Sequence, residues 1–148
     1  MKHLKHRQIA EKTDEIRQQK TLFLGVQSWV RYIRDGLGMT LEQLSRRTEL
    51  STSTLGQLEK NESMGKVTLG SLKKIGEAMN CQLIYALVPN ENLEAMRDRQ
   101  ALKKAQQLLE ESNLQMEYED QAVNQKKLKE QLLELKEQLK SSRTLWDE

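Results

Sequence analysis

The side chains best suited to chemistry lie between positions 51 and 57, where the sequence reads STSTLGQ. Short hydroxyl side chains at the start of a helix allow its backbone to approach the floor of a DNA groove, where they can hydrogen-bond base edges and phosphates. Gln57, one turn further along the same face, could bind adenine through N6 and N7, a contact worth about 1–3 kcal/mol of discrimination. Gly56 leaves room beside it. This stretch predicts a surface that reads DNA.

The other reactive residue types form no catalytic pattern. His3 and His6 lie in a polar N-terminal segment, where we expect a solvated pair, and Cys81 lies in an apolar run, where we expect inert packing. The carboxylates belong to charged helix faces, and the sequence has neither a glycine-rich phosphate loop nor Cys/His spacing typical of a metal site. We therefore predict that the protein is not an enzyme and has no cofactor.

Two short helices position STSTLGQ. Thr40 and Gln43 form a Thr-x-x-Gln capping box that begins the first helix. Ser51 is a good N-cap for the second, from Thr52 to Lys60, which Asn61 ends. The apolar residues that we expect these helices to turn inward are Leu41, Leu44, Leu55 and Leu58.

A helix on each side completes a small bundle. On the N-terminal side of the two helices, four apolar residues at helical spacing predict a helix that ends at Gly36 and Gly38. On their C-terminal side, Thr68 can cap a fourth helix. With 36% hydrophobic residues, one Pro and seven Gly, the chain is rich in helix formers, which favours an all-α fold with a modest core. The inward residues of these two helices are Trp29, Val30, Ile33 and Leu37, then Leu69, Leu72, Ile75 and Met79.

The run CQLIYALVP, residues 81–89, breaks the helical period and ends at the only proline, which predicts a buried strand. A single strand must pair with something, and the same strand of a second copy is the simplest partner. Leu83, Tyr85 and Leu87 would then be the dimerisation residues. The alternative is a short fifth helix of the core.

Beyond residue 90 the sequence is helical and charged, with Asn90 or Asn92 as its N-cap. Leucines at 4-3-4 spacing form a seam of about two heptads, too short for an independent coiled coil, so we expect it to pack on this protein or on a partner. Trp146 follows Leu145 as an apolar anchor near the C-terminus. The seam residues are Leu128, Leu132, Leu135 and Leu139.

The net charge of +2 conceals an asymmetry. Residues 1–90 carry 14 Lys and Arg against 9 Asp and Glu, whereas the remainder carries 10 against 13. A basic front half and an acidic rear half indicate different partners for the two. The single cysteine, the lack of a signal peptide and the lack of a long apolar run lead us to expect a cytoplasmic protein without membrane contact.

Two capped helices joined by a short turn make a helix-turn-helix. The stretch GMTLEQLSRRTELSTSTLGQLEKNE resembles the Xre-like, phage-repressor type of this motif, which implies a bundle that inserts its third helix into the major groove. Two positions depart from that pattern, because Glu49 replaces the usual turn glycine and Ser45 replaces a small alanine. A left-handed Glu49 would cost about 1 kcal/mol.

This register assigns the DNA contacts. We predict base contacts from Thr52, Ser53 and Gln57, since they lie on the exposed face at the start of the reading helix. Phosphate contacts should come from helix N-termini and nearby cations, while Arg46 and Arg47 add only to the field. The predicted phosphate contacts are Thr40, Thr54, Lys60 and Lys66.

The order of motifs along the chain is more specific. Trp29-Val30-Arg31, LGMTLEQLS, CQLIYALVP, EDQAV and a terminal Leu-Trp-Asp together resemble the mobile mystery protein A family, from about Trp29 to Asp147. The resemblance implies a regulator usually encoded beside a Fic-domain protein, like the antitoxin of a toxin–antitoxin pair. No helix here carries the Ser/Thr-x-x-x-Glu-Gly/Asn string of many Fic inhibitors, since Ser45 to Leu50 lacks its last residue.

The expected architecture therefore has four parts: an N-terminal helix (1–24), a helix-turn-helix domain (25–80), a strand for dimerisation (81–89) and a C-terminal helical extension (90–148). We predict a homodimeric repressor that binds a palindromic operator of its own operon and neutralises a Fic-type partner. That partner would contact Leu128, Leu132, Leu135 and Trp146. The alternatives are a stand-alone repressor of mobile-element genes and an interaction module without DNA binding.

Overall fold

The computed structural model describes residues 2–117 and 125–147, which form seven α-helices and one short 3-10 helix, Lys20–Phe23. The predicted all-α class is confirmed. The chain divides into two compact units: residues 21–87, here the central unit, and the chain up to Lys20 together with the chain from Val88 onward, here the terminal unit. The helices are α1 (Lys2–Gln18), α2 (Trp29–Gly36), α3 (Leu41–Thr48), α4 (Thr52–Ser63), α5 (Leu69–Ala78), α6 (Leu93–Glu117) and α7 (Gln125–Ser141).

Every helix of the central unit begins at a hydroxyl side chain that accepts a hydrogen bond from a backbone N–H of the first turn. The predicted caps are confirmed: Thr40 forms the full capping box with Gln43, and Ser51 and Thr68 cap α4 and α5. Ser28 caps α2 in the same way, which the sequence analysis did not anticipate. Local hydrogen bonding thus sets the start of all four helices.

Three of these helices end in the same turn, in which a residue with positive φ allows a hydrogen bond back to a carbonyl five residues earlier. Gly38, Gly65 and Asn80 occupy that position, with φ of 63°, 68° and 56°. The prediction that Asn61 ends the reading helix is therefore wrong. Lys66 N donates to Asn61 O over 2.8 Å, and α4 continues to Ser63 because Gly65 supplies the turn.

The core of the central unit joins α2, α3, α4 and α5. Helix α3 packs against α4 and α5, and α2 packs against the same two helices. The predicted inward residues are mostly confirmed, although Trp29, Leu37 and Leu69 lie exposed. The buried residues are Val30, Leu44, Leu55, Ile75 and Met79, and Ile33, Leu41, Leu58, Leu72 and Cys81 pack around them.

The predicted strand over residues 81–89 is not observed. After Cys81 N donates to Gly76 O, no backbone hydrogen bond in the described part of the chain joins residues 82–87 to another segment. A strand is defined by pairing with a neighbour, and residues 2–117 and 125–147 offer no second extended segment beside it. The side chains of Ile84, Tyr85 and Leu87 are 71–93% exposed.

In the terminal unit, α6 packs against α7 and α1 packs against α6. The α6–α7 core consists of Ala101, Ala105, Leu139 and Leu145, with Leu132 and Leu135 packed against it, so three of the four seam leucines pack on this protein. Charged side chains cross the same pair: Asp98 binds Lys136 at 2.5 Å and Lys140 at 2.6 Å. These two lysines hold the pKa of the Asp98 carboxyl below its usual range.

Helix α6 begins at Asn92, the second of the two predicted caps. The Asn92 side chain accepts at Oδ1 from the backbone N–H groups of Glu94 at 2.8 Å and Ala95 at 3.2 Å, and its Nδ2 donates to Asp14 of α1. After α7, near the C-terminus, Leu145 is buried while Trp146 is 58% exposed. The apolar anchor predicted near the C-terminus is thus Leu145 alone.

Candidate nucleic-acid interface

The start of α4 presents its short side chains outward. Ser51 Oγ accepts from Thr54 N over 3.1 Å and lies 2.7 Å from Thr54 Oγ1, so the cap and Thr54 are already hydrogen-bonded to each other. Thr52 and Ser53 are exposed. On the opposite face Leu55 is fully buried in the core. The helix is therefore fixed by its apolar side, with the two predicted base contacts on its free side.

Further along α4, Gln57 is exposed and lies one turn from Ser53. Its Nε2 donates to Asn61 Oδ1 over 2.9 Å. Beside it, a Cβ added at Gly56 would meet only Leu41 Cδ1, at 3.9 Å. Packing within the chain therefore does not require a glycine at position 56.

A depression of about 480 Å³ lies between α4 and the start of α5. It brings together four of the predicted contact residues, Ser53, Thr54, Gln57 and Lys66. Thr52, Lys60 and Thr40 are exposed but do not line it. Asn61, Thr68 and Ser71, which were not predicted as contacts, complete its polar lining. Predicted base and phosphate contacts thus share one polar surface.

The central unit leaves most of its cations without carboxylate partners. Its ion pairs, within the described residues, are Arg31–Asp35, Arg34–Asp35 and Arg34–Glu59. Glu62 is occupied as well, because it caps α2. The cations outside any such pair are Arg46, Arg47, Lys60, Lys66, Lys73 and Lys74. All six side chains are exposed, and exposed cations without a carboxylate partner attract phosphates.

The turn between α3 and α4 adopts the geometry expected of a turn glycine. Glu49 has φ 60°, and its N–H donates to Ser45 O. Ser45 Oγ donates to Leu50 O over 2.5 Å. The two departures from the usual motif are therefore accommodated, one at a strain of about 1 kcal/mol and the other by a hydrogen bond across the turn.

Two acidic residues of α4, neither of them predicted as a contact from the sequence, hold the bundle together. Glu59 accepts from Arg34 Nε at 2.8 Å and Nη2 at 3.3 Å, and this bonding raises the pKa of Arg34 further above its usual range. Glu62 accepts from Ser28 Oγ at 2.6 Å and from the backbone N–H groups of Trp29 and Val30. The sequence spacing did indicate that Glu59 faces inward, because it lies four residues after Leu55 and so shares the same helix face.

The residues predicted for protein contacts lie elsewhere. In the central unit, Tyr85 and Leu87 are exposed and Leu83 is half-buried. In the terminal unit, Leu132 and Leu135 pack beside the α6–α7 core, Leu128 is half-buried and Trp146 is exposed. Among the described residues, no group of three or more His, Cys, Asp or Glu side chains is placed to hold a metal ion.

Comparison with known families finds a match within the central unit. Residues 30–85 match the helix-turn-helix family model, which covers α2 to α5 and the segment that follows. This family is a DNA-binding regulatory domain rather than an enzyme family. The chain matches no curated protein and no solved structure. No helix among residues 2–117 and 125–147 is long and apolar enough to cross a membrane.

Proposed function

We propose that this protein is a transcriptional repressor that binds a specific duplex DNA sequence through α4. One observation carries the proposal: within a helix-turn-helix domain, the free face of α4 presents Thr52, Ser53 and Gln57 to solvent, while Leu55 fixes its other face. Short hydroxyls can approach the groove floor, and the amide can read adenine. The bases contacted by these three side chains would define the preferred sequence.

Phosphate contacts would fix the position of α4 in the groove. Lys66 and Thr54 line the same depression as Gln57, and Lys60 is exposed on α4 itself. Thr40 lies at the N-terminus of α3, where backbone N–H groups and the helix dipole favour an anion. Each phosphate that a lysine neutralises contributes about −0.9 to the slope of log affinity against log salt.

A dimer would give the operator its palindromic symmetry. What supports it is the segment 82–87, whose backbone has no hydrogen-bonded neighbour among the described residues and whose residues Tyr85 and Leu87 are exposed. The same segment of a second copy could satisfy those backbone groups as an antiparallel strand. Leu83, Tyr85 and Leu87 would lie in that interface. Light scattering of the full chain, and of a Leu87→Lys variant, tests this arrangement.

The finer role, antitoxin of a Fic-domain protein encoded nearby, rests on the family resemblance of the motifs. In the terminal unit, Leu132 and Leu135 pack beside the α6–α7 core, which supports the alternative of a stand-alone repressor. Among the described residues of the terminal unit, the large apolar side chains exposed and so open to a partner are Leu4, Ile9, Leu108, Leu133 and Trp146. Co-purification with the untagged product of the neighbouring gene separates the two: a stable complex supports the antitoxin role, and its absence supports the stand-alone repressor.

The test of DNA reading is selection of preferred sequences from random duplexes by the full chain, followed by anisotropy titrations. Thr52→Ala and Gln57→Ala should each weaken binding to the selected duplex by about 1–3 kcal/mol and relax preference at one position. Gln27→Ala, an exposed glutamine outside α4, is the matched control. Unchanged affinity and preference in both variants would remove α4 from the interface.

A further inference from the structure

The hydrogen bond between Gln57 and Asn61 orders the amide predicted to read a base. Gln57 Nε2 donates to Asn61 Oδ1, and both residues line the depression on α4. The other polar atom of the Gln57 amide, Oε1, has no hydrogen bond to the described residues. One amide of the pair thus orients the other, and it leaves an acceptor and a second N–H free.

Asn61 is well placed to serve as a fixed reference point. Its carbonyl accepts two backbone hydrogen bonds at the end of α4, from Met64 N at 3.1 Å and from Lys66 N at 2.8 Å. Its side chain is half-buried, whereas that of Gln57 is exposed. Because the backbone of Asn61 is held by the closing turn of the helix, its Oδ1 can hold a long flexible side chain in one orientation.

The orientation of a glutamine amide decides which base it fits. In the major groove adenine presents an N6 donor and an N7 acceptor, whereas guanine presents two acceptors, N7 and O6. A free Gln57 could rotate its amide and offer either an acceptor with a donor, or two N–H donors. With one N–H bound to Asn61, the remaining N–H and Oε1 match adenine, and the nitrogen cannot offer both hydrogens to guanine.

We propose that Asn61 is a positioning residue that restricts Gln57 to adenine. The inference rests on the proposed function, because it assumes that α4 lies in the major groove of duplex DNA. It deepens that function by naming the base read by Gln57 and the side chain that sets the preference. Asn61 itself need not touch the DNA for this role.

Two variants at position 61 test whether the Asn61 acceptor orients the Gln57 amide. Asn61→Ala removes the acceptor, so the preference for adenine over guanine should fall from about tenfold or more to less than about threefold. Asn61→Asp keeps an acceptor and cannot donate, so it should retain the preference while its charge weakens binding to every sequence by about fivefold or more. Asn90→Ala, an exposed asparagine of the terminal unit, is the control for the substitution itself.

The measurement is anisotropy titration of four duplexes that differ only at the base whose preference Gln57→Ala removes. Circular dichroism first shows that each variant is folded. Loss of adenine preference in Asn61→Ala with retention in Asn61→Asp supports the proposal. An unchanged preference in Asn61→Ala, or a preference for any base other than adenine in the wild type, overturns it while leaving the proposed function intact. If the wild type selects no sequence, both fail together.

Discussion

The buried ion pair between Arg34 and Glu59 gives a prediction whose size follows from the geometry. The two side chains are 12% and 10% exposed, and two hydrogen bonds join them. For a buried pair, attraction roughly offsets desolvation, but removing one partner leaves an uncompensated charge at a cost of about 3–5 kcal/mol. Without Glu59, Arg34 still reaches Asp35 at 3.0 Å and the carbonyl of Met39 at 2.9 Å, so Glu59→Leu should lie at the lower end of that range.

Arg34→Met should lie at the upper end, because Glu59 then has no cation. The double variant Arg34→Met, Glu59→Leu should recover most of the loss, since it removes both desolvated charges and fills the space with apolar groups. For a unit of this size, each kcal/mol shifts the melting temperature by about 4–8 °C. Urea unfolding followed by Trp29 fluorescence, in a Trp146→Phe background, isolates the central unit. Losses that simply add in the double variant would refute the reasoning.

Three further outcomes follow from single contacts. Glu62→Ala removes the acceptor for three donors at the start of α2 and should lower the free energy of unfolding of the central unit, measured in urea, by about 2–3 kcal/mol. The control Glu77→Ala, which removes an exposed carboxylate on α5, should change it by less than about 0.5 kcal/mol. Because two lysines of α7 lower the pKa of Asp98, the ionised carboxylate should contribute to the free energy of unfolding above about pH 4, and this contribution should disappear as the pH falls through the folded-state pKa. Thermal unfolding of Asp98→Asn should therefore show a smaller loss of stability in acid than that of the wild type. An identical pH profile would contradict the assignment. Lys66→Ala should reduce the salt slope of DNA binding by about 1 and keep the sequence preference, whereas Lys103→Ala, an exposed lysine on α6 of the terminal unit, should leave the slope unchanged.

The helix starts could be predicted from sequence because a cap is a local device. Thr40 with Gln43, and Ser51 with Thr54, satisfy backbone donors within four residues, so no distant contact decides the outcome. The end of α4 was harder. Asn61 is a fair helix terminator by type, but the turn at Gly65 provides better hydrogen bonding and carries the helix to Ser63, three residues beyond the predicted last residue, Lys60.

The long-range features could not be read from local patterns. Glu59 shares the inward face of Leu55, but the local pattern does not reveal its partner, and Glu62 looks like an ordinary surface acid. Only the packing of α2 against α4 brings Arg34 to Glu59 and Ser28 to Glu62. Likewise, an apolar run such as residues 81–89 predicts a strand by type, although a strand requires a partner, and the described part of the chain contains none. The contacts to DNA and to protein partners remain predictions, because they depend on molecules outside this chain.

Sequence-specific reading of DNA by α4 is tested most directly by the ratio of dissociation constants for a scrambled and a selected duplex. The measurement uses the full chain at about 150 mM salt, because affinities at low salt mostly report phosphate contacts. We predict a ratio of about 10³ or more for the wild type, lowered about tenfold or more by Gln57→Ala. A wild-type ratio near 1 would show that the protein binds DNA only through its charge, and would contradict the proposed function.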